Sequence, residues 1–129
     1  MNIQEDASYI MEAIVTNKPY KIGGNVINTG LIDNLPKDAC VEVPCMVDSM
    51  GIHPTHVGKI PTQLAAMNMS NINAQLLAIE AAVTKDRRKI YQAAMMDPHT
   101  AAELSIDDIV KMCDEMIEAH GDYMKDFNN

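Results

Sequence analysis

The chain has 129 residues, 47% of them hydrophobic and 22% charged, with six glycines and six prolines; this is the size and balance of one globular domain around one core, and it excludes a disordered or fibrous chain. Eighteen acidic side chains against ten basic ones leave a formal charge of −8, a field that repels phosphate backbones and anionic membranes, so neither nucleic acid nor membrane is expected as a partner. No run approaches the ~18 apolar residues of a spanning helix, and MNIQEDASYI carries acids where a secretory signal has a basic start, which points to the cytoplasm.

The first segment, residues 5–16, places Ala7, Ile10, Met11, Ile14 and Val15 on one helical stripe, and Asn17-Lys18-Pro19 ends it. The stripe starts almost at the first residue, with little chain ahead of it to cap the helix, a hint of truncation. Residues 20–58 change to short β-prone runs separated by Gly23-Gly24, Asn28-Thr29-Gly30, Asp33-Asn34 and Ser49-Met50-Gly51. Strands paired antiparallel across the turn near Gly51 are expected, with Pro44 and Pro54 at edges, strand starts or bulges because proline offers no N–H to a ladder.

After Pro61, the positions Ala65, Met69, Ile72, Leu76, Ile79 and Val83 alternate spacings of four and three, predicting a long helix that buries one seam. Asn68, Asn71 and Asn73 lower helix propensity and suggest a kink or break near Ser70. A shorter helix over residues 85–96 is stopped by Asp97-Pro98, and its four cations, Lys85, Arg87, Arg88 and Lys89, read as a solvated face. Ser105 caps a last helix with Asp107 and Asp108 in its first turn, buries Ile109, Val110, Cys113, Met116 and Ile117, and ends at His120-Gly121. Helix, antiparallel strands, then several helices is the order of an α+β domain. Eleven methionines against four tyrosines and one phenylalanine suit irregular core gaps or a subunit interface, so a homo-oligomer is expected.

Candidate chemistry is sparse. Cys40, Cys45, His53 and His56 have the ligand types of a zinc site, but five residues of extended chain put the two cysteines on opposite faces of a strand. An odd count of three cysteines builds no disulfide framework. Cys113 reads as a small core residue, and Asp107-Asp108 with Glu115 and Glu118 sit on a helix surface, not in a converging acid pair. No glycine-rich nucleotide loop is present. The run from Gly23 through Pro36 is rich in asparagine and glycine, turn formers that also bring amides to a sugar; Asn25, Asn28 and Asn34 are therefore the substrate-cleft candidates.

Asn25-Val26-Ile27-Asn28-Thr29-Gly30-Leu31-Ile32-Asp33-Asn34-Leu35-Pro36, followed by Val41-Glu42-Val43-Pro44-Cys45 and Gly51-Ile52-His53-Pro54, resembles the C-terminal region of the family 4 glycoside hydrolases, with wording similar to the bacterial α-galactosidases. The likeness continues through Asn71-Ile72-Asn73, Glu80-Ala81-Ala82 and Asp97-Pro98-His99-Thr100 and covers nearly the whole chain. It implies a single, incomplete C-terminal domain over residues 1–129, similar to that of lactate and malate dehydrogenases, belonging to an enzyme that acts on an α-galactoside-type sugar. In such enzymes NAD⁺ transiently oxidises the sugar C3 hydroxyl, a divalent metal, usually Mn²⁺, polarises the new carbonyl, and loss of the C2 proton expels the aglycone. The family's nucleotide loop, metal ligands and catalytic base precede the region matched. This chain alone is therefore expected to bind neither NAD nor Mn²⁺ and to carry no catalysis; the alternative from its residues is a structural or oligomerisation module.

Overall fold

The computed structural model describes residues 6–127, which divide between Pro61 and Thr62 into two compact units. In the first, helix α1 (Ala7–Thr16) precedes strands β1 (Tyr20–Ile27), β2 (Cys40–Asp48) and β3 (Gly51–Pro54). The strands form an antiparallel sheet in the order β1-β2-β3. β2 alternates strictly: Val41, Val43, Cys45 and Val47 are buried, while Cys40, Glu42, Pro44 and Met46 face out. Each buried valine adds roughly 1.5 kcal/mol or more by leaving water, and the period of two fixes which face is the core.

α1 packs on β2 through Ala13, its one fully buried residue. The expected stripe is therefore corrected: Met11, Ile14 and Val15 are 61%, 42% and 83% exposed, because the sheet takes the narrow alanine side of the helix. Asn17 closes α1 in the left-handed region, φ 56°, a conformation asparagine tolerates. Its Oδ1 accepts hydrogen bonds from the Ser49 N–H and hydroxyl at 3.2 and 2.7 Å, joining the helix end to the β2–β3 turn.

Pro54 lies on edge strand β3, as expected, but Pro44 sits inside central strand β2, opposite Gly23. The Pro44 carbonyl accepts hydrogen bonds from the Thr55 N–H and hydroxyl, just beyond β3. N–H and C=O of one strand residue leave on the same side, so the missing donor faces the end of β3 and takes nothing from the β1–β2 ladder. At Gly24 an added Cβ would lie 2.7 Å from the Cys45 Sγ, so glycine here is a requirement of close packing.

The second unit comprises α2 (Thr62–Thr84), α3 (Arg87–Met96), α4 (Pro98–Glu103) and α5 (Ile106–His120), followed by a 3₁₀ turn over Gly121–Met124. α2 is unbroken at Ser70, whose hydroxyl turns back onto the Met67 carbonyl at 2.7 Å, so the polar side chains are absorbed within the helix. The seam holds at Ala65 and Ile72 but not at its end: Ile79 and Val83 are 58% and 77% exposed, and Ala81 is buried instead. α3 returns over Ala78, Ala81 and Ala82, around a gap shared with Ile90, Ala93 and Phe127; short side chains admit a close helix approach.

The basic run is partnered: Asp86 caps α3 and holds the Arg88 guanidinium, Lys89 meets Glu80 at 2.7 Å, Arg87 faces Asp114 at 3.7 Å and Lys85 lies over the Phe127 ring. Asp97-Pro98 both ends α3 and begins α4, a helix the sequence reading missed; Asp97 Oδ1 accepts from the Thr100 N–H and hydroxyl, and proline suits the first turn. Ser105 caps α5 as expected, Ile109 and Cys113 are buried, and Met116 is 54% exposed. The α+β expectation holds.

Candidate functional site

The segment between β1 and β2 is organised by Asn28, which is fully buried. Its Nδ2 donates to the carbonyls of Ile32, Leu35 and Pro36 at 2.9–3.0 Å, and its Oδ1 accepts from the N–H groups of Leu31 and Ile32 at 3.1 and 2.8 Å. Loop carbonyls and amides that point inward need partners, and one asparagine amide supplies both donor and acceptor. Asn34, half-buried, exchanges hydrogen bonds with the Ile60 backbone, donating to its carbonyl at 2.9 Å and accepting from its N–H at 3.0 Å. Both amides are thus spent on the loop. Asn25 stands apart on the outward face of β1, opposite Glu42.

That outward face carries a feature the asparagine reading missed. Lys21, Gly23 and Asn25 on β1 and Glu42, Pro44 and Met46 on β2 all point away from the core. An open depression of about 490 Å³ is lined by Asp6, Lys21, Gly23, Glu42 and Pro44 together with backbone around them. The Glu42 side chain lies over Gly23, where an added Cβ would meet its Oε1 at 2.6 Å. Lys21, Asn25 and Glu42 have no side-chain hydrogen bond or ion pair among the described residues. Asp6 accepts from the Tyr20 hydroxyl at 2.9 Å, which holds that phenol protonated to higher pH than usual. Alternation along β1, read onward from Tyr20, was the signal that could have grouped Lys21, Gly23 and Asn25.

The candidate metal ligands are dispersed. Cys40 is exposed and Cys45 buried, on opposite faces of β2. His53 Nε2 pairs with Asp48 Oδ1 at 3.0 Å and His56 Nε2 with Asp33 Oδ1 at 2.8 Å. Asp48 is held below the usual carboxylate range, first by the Met50 N–H and then by His53. Among the described residues no three His, Cys, Asp or Glu side chains converge to hold a metal ion, so this donor set does not fit Mn²⁺. Nor do Gly23-Gly24 fit a dinucleotide: they lie mid-strand in an antiparallel sheet, hemmed by Glu42 and Cys45, whereas a phosphate cradle opens onto a helix N-terminus.

Asp108 on α5 accepts from the Ser105 hydroxyl at 2.6 Å and Glu115 faces Lys111 at 3.9 Å; these acids cap and solvate. The Cys113 thiol is pushed up, first by burial and then by Asp114, the reverse of an activated nucleophile. Among the described residues no helix is long and apolar enough to cross a membrane.

Comparison with known proteins gives a consistent result. The profile of the family 4 glycosyl hydrolase C-terminal domain matches residues 2–100. An alpha-galactosidase of Bacillus subtilis is 55% identical over 96% of this chain and 29% of its own length. The structure of a 6-phospho-alpha-glucosidase from gut microorganisms, in complex with NAD and glucose-6-phosphate, superposes with TM-score 0.82 at 29% identity, over 93% of this chain and 26% of that one. A 6-phospho-beta glucosidase from Thermotoga maritima, with manganese, NAD⁺ and glucose-6-phosphate, gives 0.71 at 26% identity, over 91% and 29%. The chain thus spans less than a third of the length of these relatives. It belongs to the C-terminal domain family of the family 4 glycosyl hydrolases.

Proposed function

We propose that this chain is the sugar-side C-terminal domain of a longer cytoplasmic α-galactosidase that uses NAD and Mn²⁺, and that it has no glycosidase activity by itself. The observation that carries the reading is the 55% identity to the B. subtilis alpha-galactosidase across 96% of the chain. NAD, where bound, supplies the hydride chemistry; no step of it is assigned to residues here. Their contribution is a surface: the Asn28 and Asn34 clamps hold the loop after β1, Asn25 and Glu42 face outward near its start, and Lys21 lies on the same face at the other end of β1. Exchanging this chain for the matching segment of the B. subtilis enzyme is expected to leave a chimera that hydrolyses an α-galactoside with NAD⁺ and Mn²⁺. A folded but inactive chimera would overturn the domain assignment, and turnover by the isolated 129 residues would overturn its dependence on the rest of the enzyme.

A second reading, an oligomerisation module, is favoured by the apolar side chains left in water on α1, α2 and α5, including Met11, Val15, Val83 and Met116. Sedimentation equilibrium distinguishes it: self-association to a defined dimer supports it, and a folded monomer at high concentration removes it.

A further inference from the structure

We propose that the pocket between α3, α5 and the 3₁₀ turn binds one monovalent copper ion, with the Cys113 sulfur, the Met116 thioether, His120 Nε2 and the Met124 thioether as its donors. The site lies wholly in the helical unit and stands apart from the reading of this chain as a sugar-side domain.

The sequence brings the four donors to one side. Cys113, Met116 and His120 follow one another on α5 at spacings of three and four, the separations at which helix side chains are neighbours on one face. Gly121, at φ 49°, ends the helix, and the 3₁₀ turn after it returns Met124 to the same place. All four line one open pocket of about 180 Å³, closed on the α3 side by Ile90. That is smaller than the roughly 300–1,000 Å³ of small-molecule sites and suits an ion better than an organic ligand.

The imidazole is prepared for a metal. Its Nδ1 lies 2.6 Å from the Met116 carbonyl; a carbonyl only accepts, so Nδ1 carries the proton and the neutral ring keeps its lone pair on Nε2. A backbone carbonyl on the far nitrogen is the usual support of a ligating histidine.

The donor types select the ion. Thioether and thiolate sulfur are soft and favour Cu(I). No described carboxylate lines the pocket, so Mg²⁺, Ca²⁺ and Mn²⁺ lack the oxygen ligands they need. Asp114, next to Cys113, is held by the Tyr91 hydroxyl at 2.5 Å and by Arg87 at 3.7 Å. Without the ion, burial keeps the Cys113 thiol protonated. On binding, the S–H bond breaks, a Cu–S bond forms and the proton leaves to solvent; copper stays at +1, so no oxidant or reductant takes part. The thiolate cancels the charge of the ion, which apolar walls require. Cys113 is 5% exposed and Met116 54%, so the ion enters past the methionine.

The test is an oxygen-free competition in which Cu(I) held by the coloured chelator bicinchoninate is titrated with the 129-residue chain. Cys40→Ala is the background throughout, because that exposed thiol would take copper by itself. One equivalent of folded chain is expected to remove one copper from the chelator. Met116→Leu and His120→Gln, both at exposed positions, should each weaken binding by about tenfold or more. Ag⁺, a diamagnetic ion of the same softness, should shift the ¹⁵N amides of residues 112–124, and Mg²⁺ should leave them unmoved. A folded chain that removes no copper, affinity unchanged in both variants, or silver shifts centred elsewhere overturns the site. The family membership and the sugar-side reading stand in each of those cases.

Discussion

The side chain of Asn34 and the backbone of Ile60 exchange two hydrogen bonds, 2.9 and 3.0 Å long, across 26 residues of sequence. An asparagine amide has the same donor and acceptor as a peptide unit, so the side chain continues to Ile60 the backbone bridge that Leu31 and Asp33 make with Val57 and Gly58.

Removing the amide at Asn34 or Asn28 should expose how much the loop depends on them. Asn34→Ala leaves the Ile60 N–H and carbonyl to water at the half-buried rim and is expected to cost about 1 kcal/mol. Asn28→Ala strands several buried backbone groups at once and should cost about 3 kcal/mol or more. Urea denaturation reads both losses. Hydrogen exchange should quicken at Ile60 in the first variant and at Leu31 and Ile32 in the second.

The adjacent glycines of β1 separate two kinds of crowding. Gly24→Ala drives a methyl against the Cys45 Sγ, a core residue that is 1% exposed, and is expected to lose about 1–3 kcal/mol as overpacking. Gly23→Ala meets only the far end of the Glu42 side chain, which swings into solvent, so its effect on stability should stay within about 0.5 kcal/mol. Equal denaturation midpoints for the two variants would contradict the packing described.

Acid should loosen the β2–β3 turn in a definite direction. The folded carboxyl of Asp48 is held low by the Met50 N–H and His53, so its contribution is complete above the ordinary carboxylate pKa and disappears as the pH falls through the depressed folded value. The melting temperatures of the wild type and Asp48→Asn should differ near neutrality and converge in strong acid. A difference that persists unchanged to the lowest pH would rule out this linkage.

The three thiols should react in an order set by burial. Cys40 is exposed, Cys45 and Cys113 are buried, and Cys113 is further disfavoured as thiolate by its apolar setting and Asp114. Iodoacetamide is expected to label Cys40 in the native protein and the other two only after unfolding, as peptide mass mapping can follow.

These features differ in how far the sequence announced them. Alternation in Val41-Glu42-Val43 and the turn at Gly51 made the hairpin legible, and the serine–acid pattern at Ser105 located α5. The tail of the α2 seam was not legible, because periodicity finds an apolar stripe without saying which side a neighbour takes; α3 chose the alanines. The same ambiguity misassigned the buried side of α1. Within the asparagine run, composition could flag Asn25, Asn28 and Asn34 alike. Only the path of the chain distinguishes the two amides spent on backbone from the one left on the outward face. Lys21 and Glu42 escaped notice because they lie 21 positions apart in sequence and share one outward face only through the pairing of β1 with β2.

Pro44 polices that register. If β2 slid one residue along β1, every side chain would change faces, sending Glu42 inward and Val43 to water, and the proline would turn its missing donor toward β1, breaking the ladder at its middle. In the native alignment the same gap lies opposite Thr55, just beyond the end of β3, where no hydrogen bond of either ladder is lost.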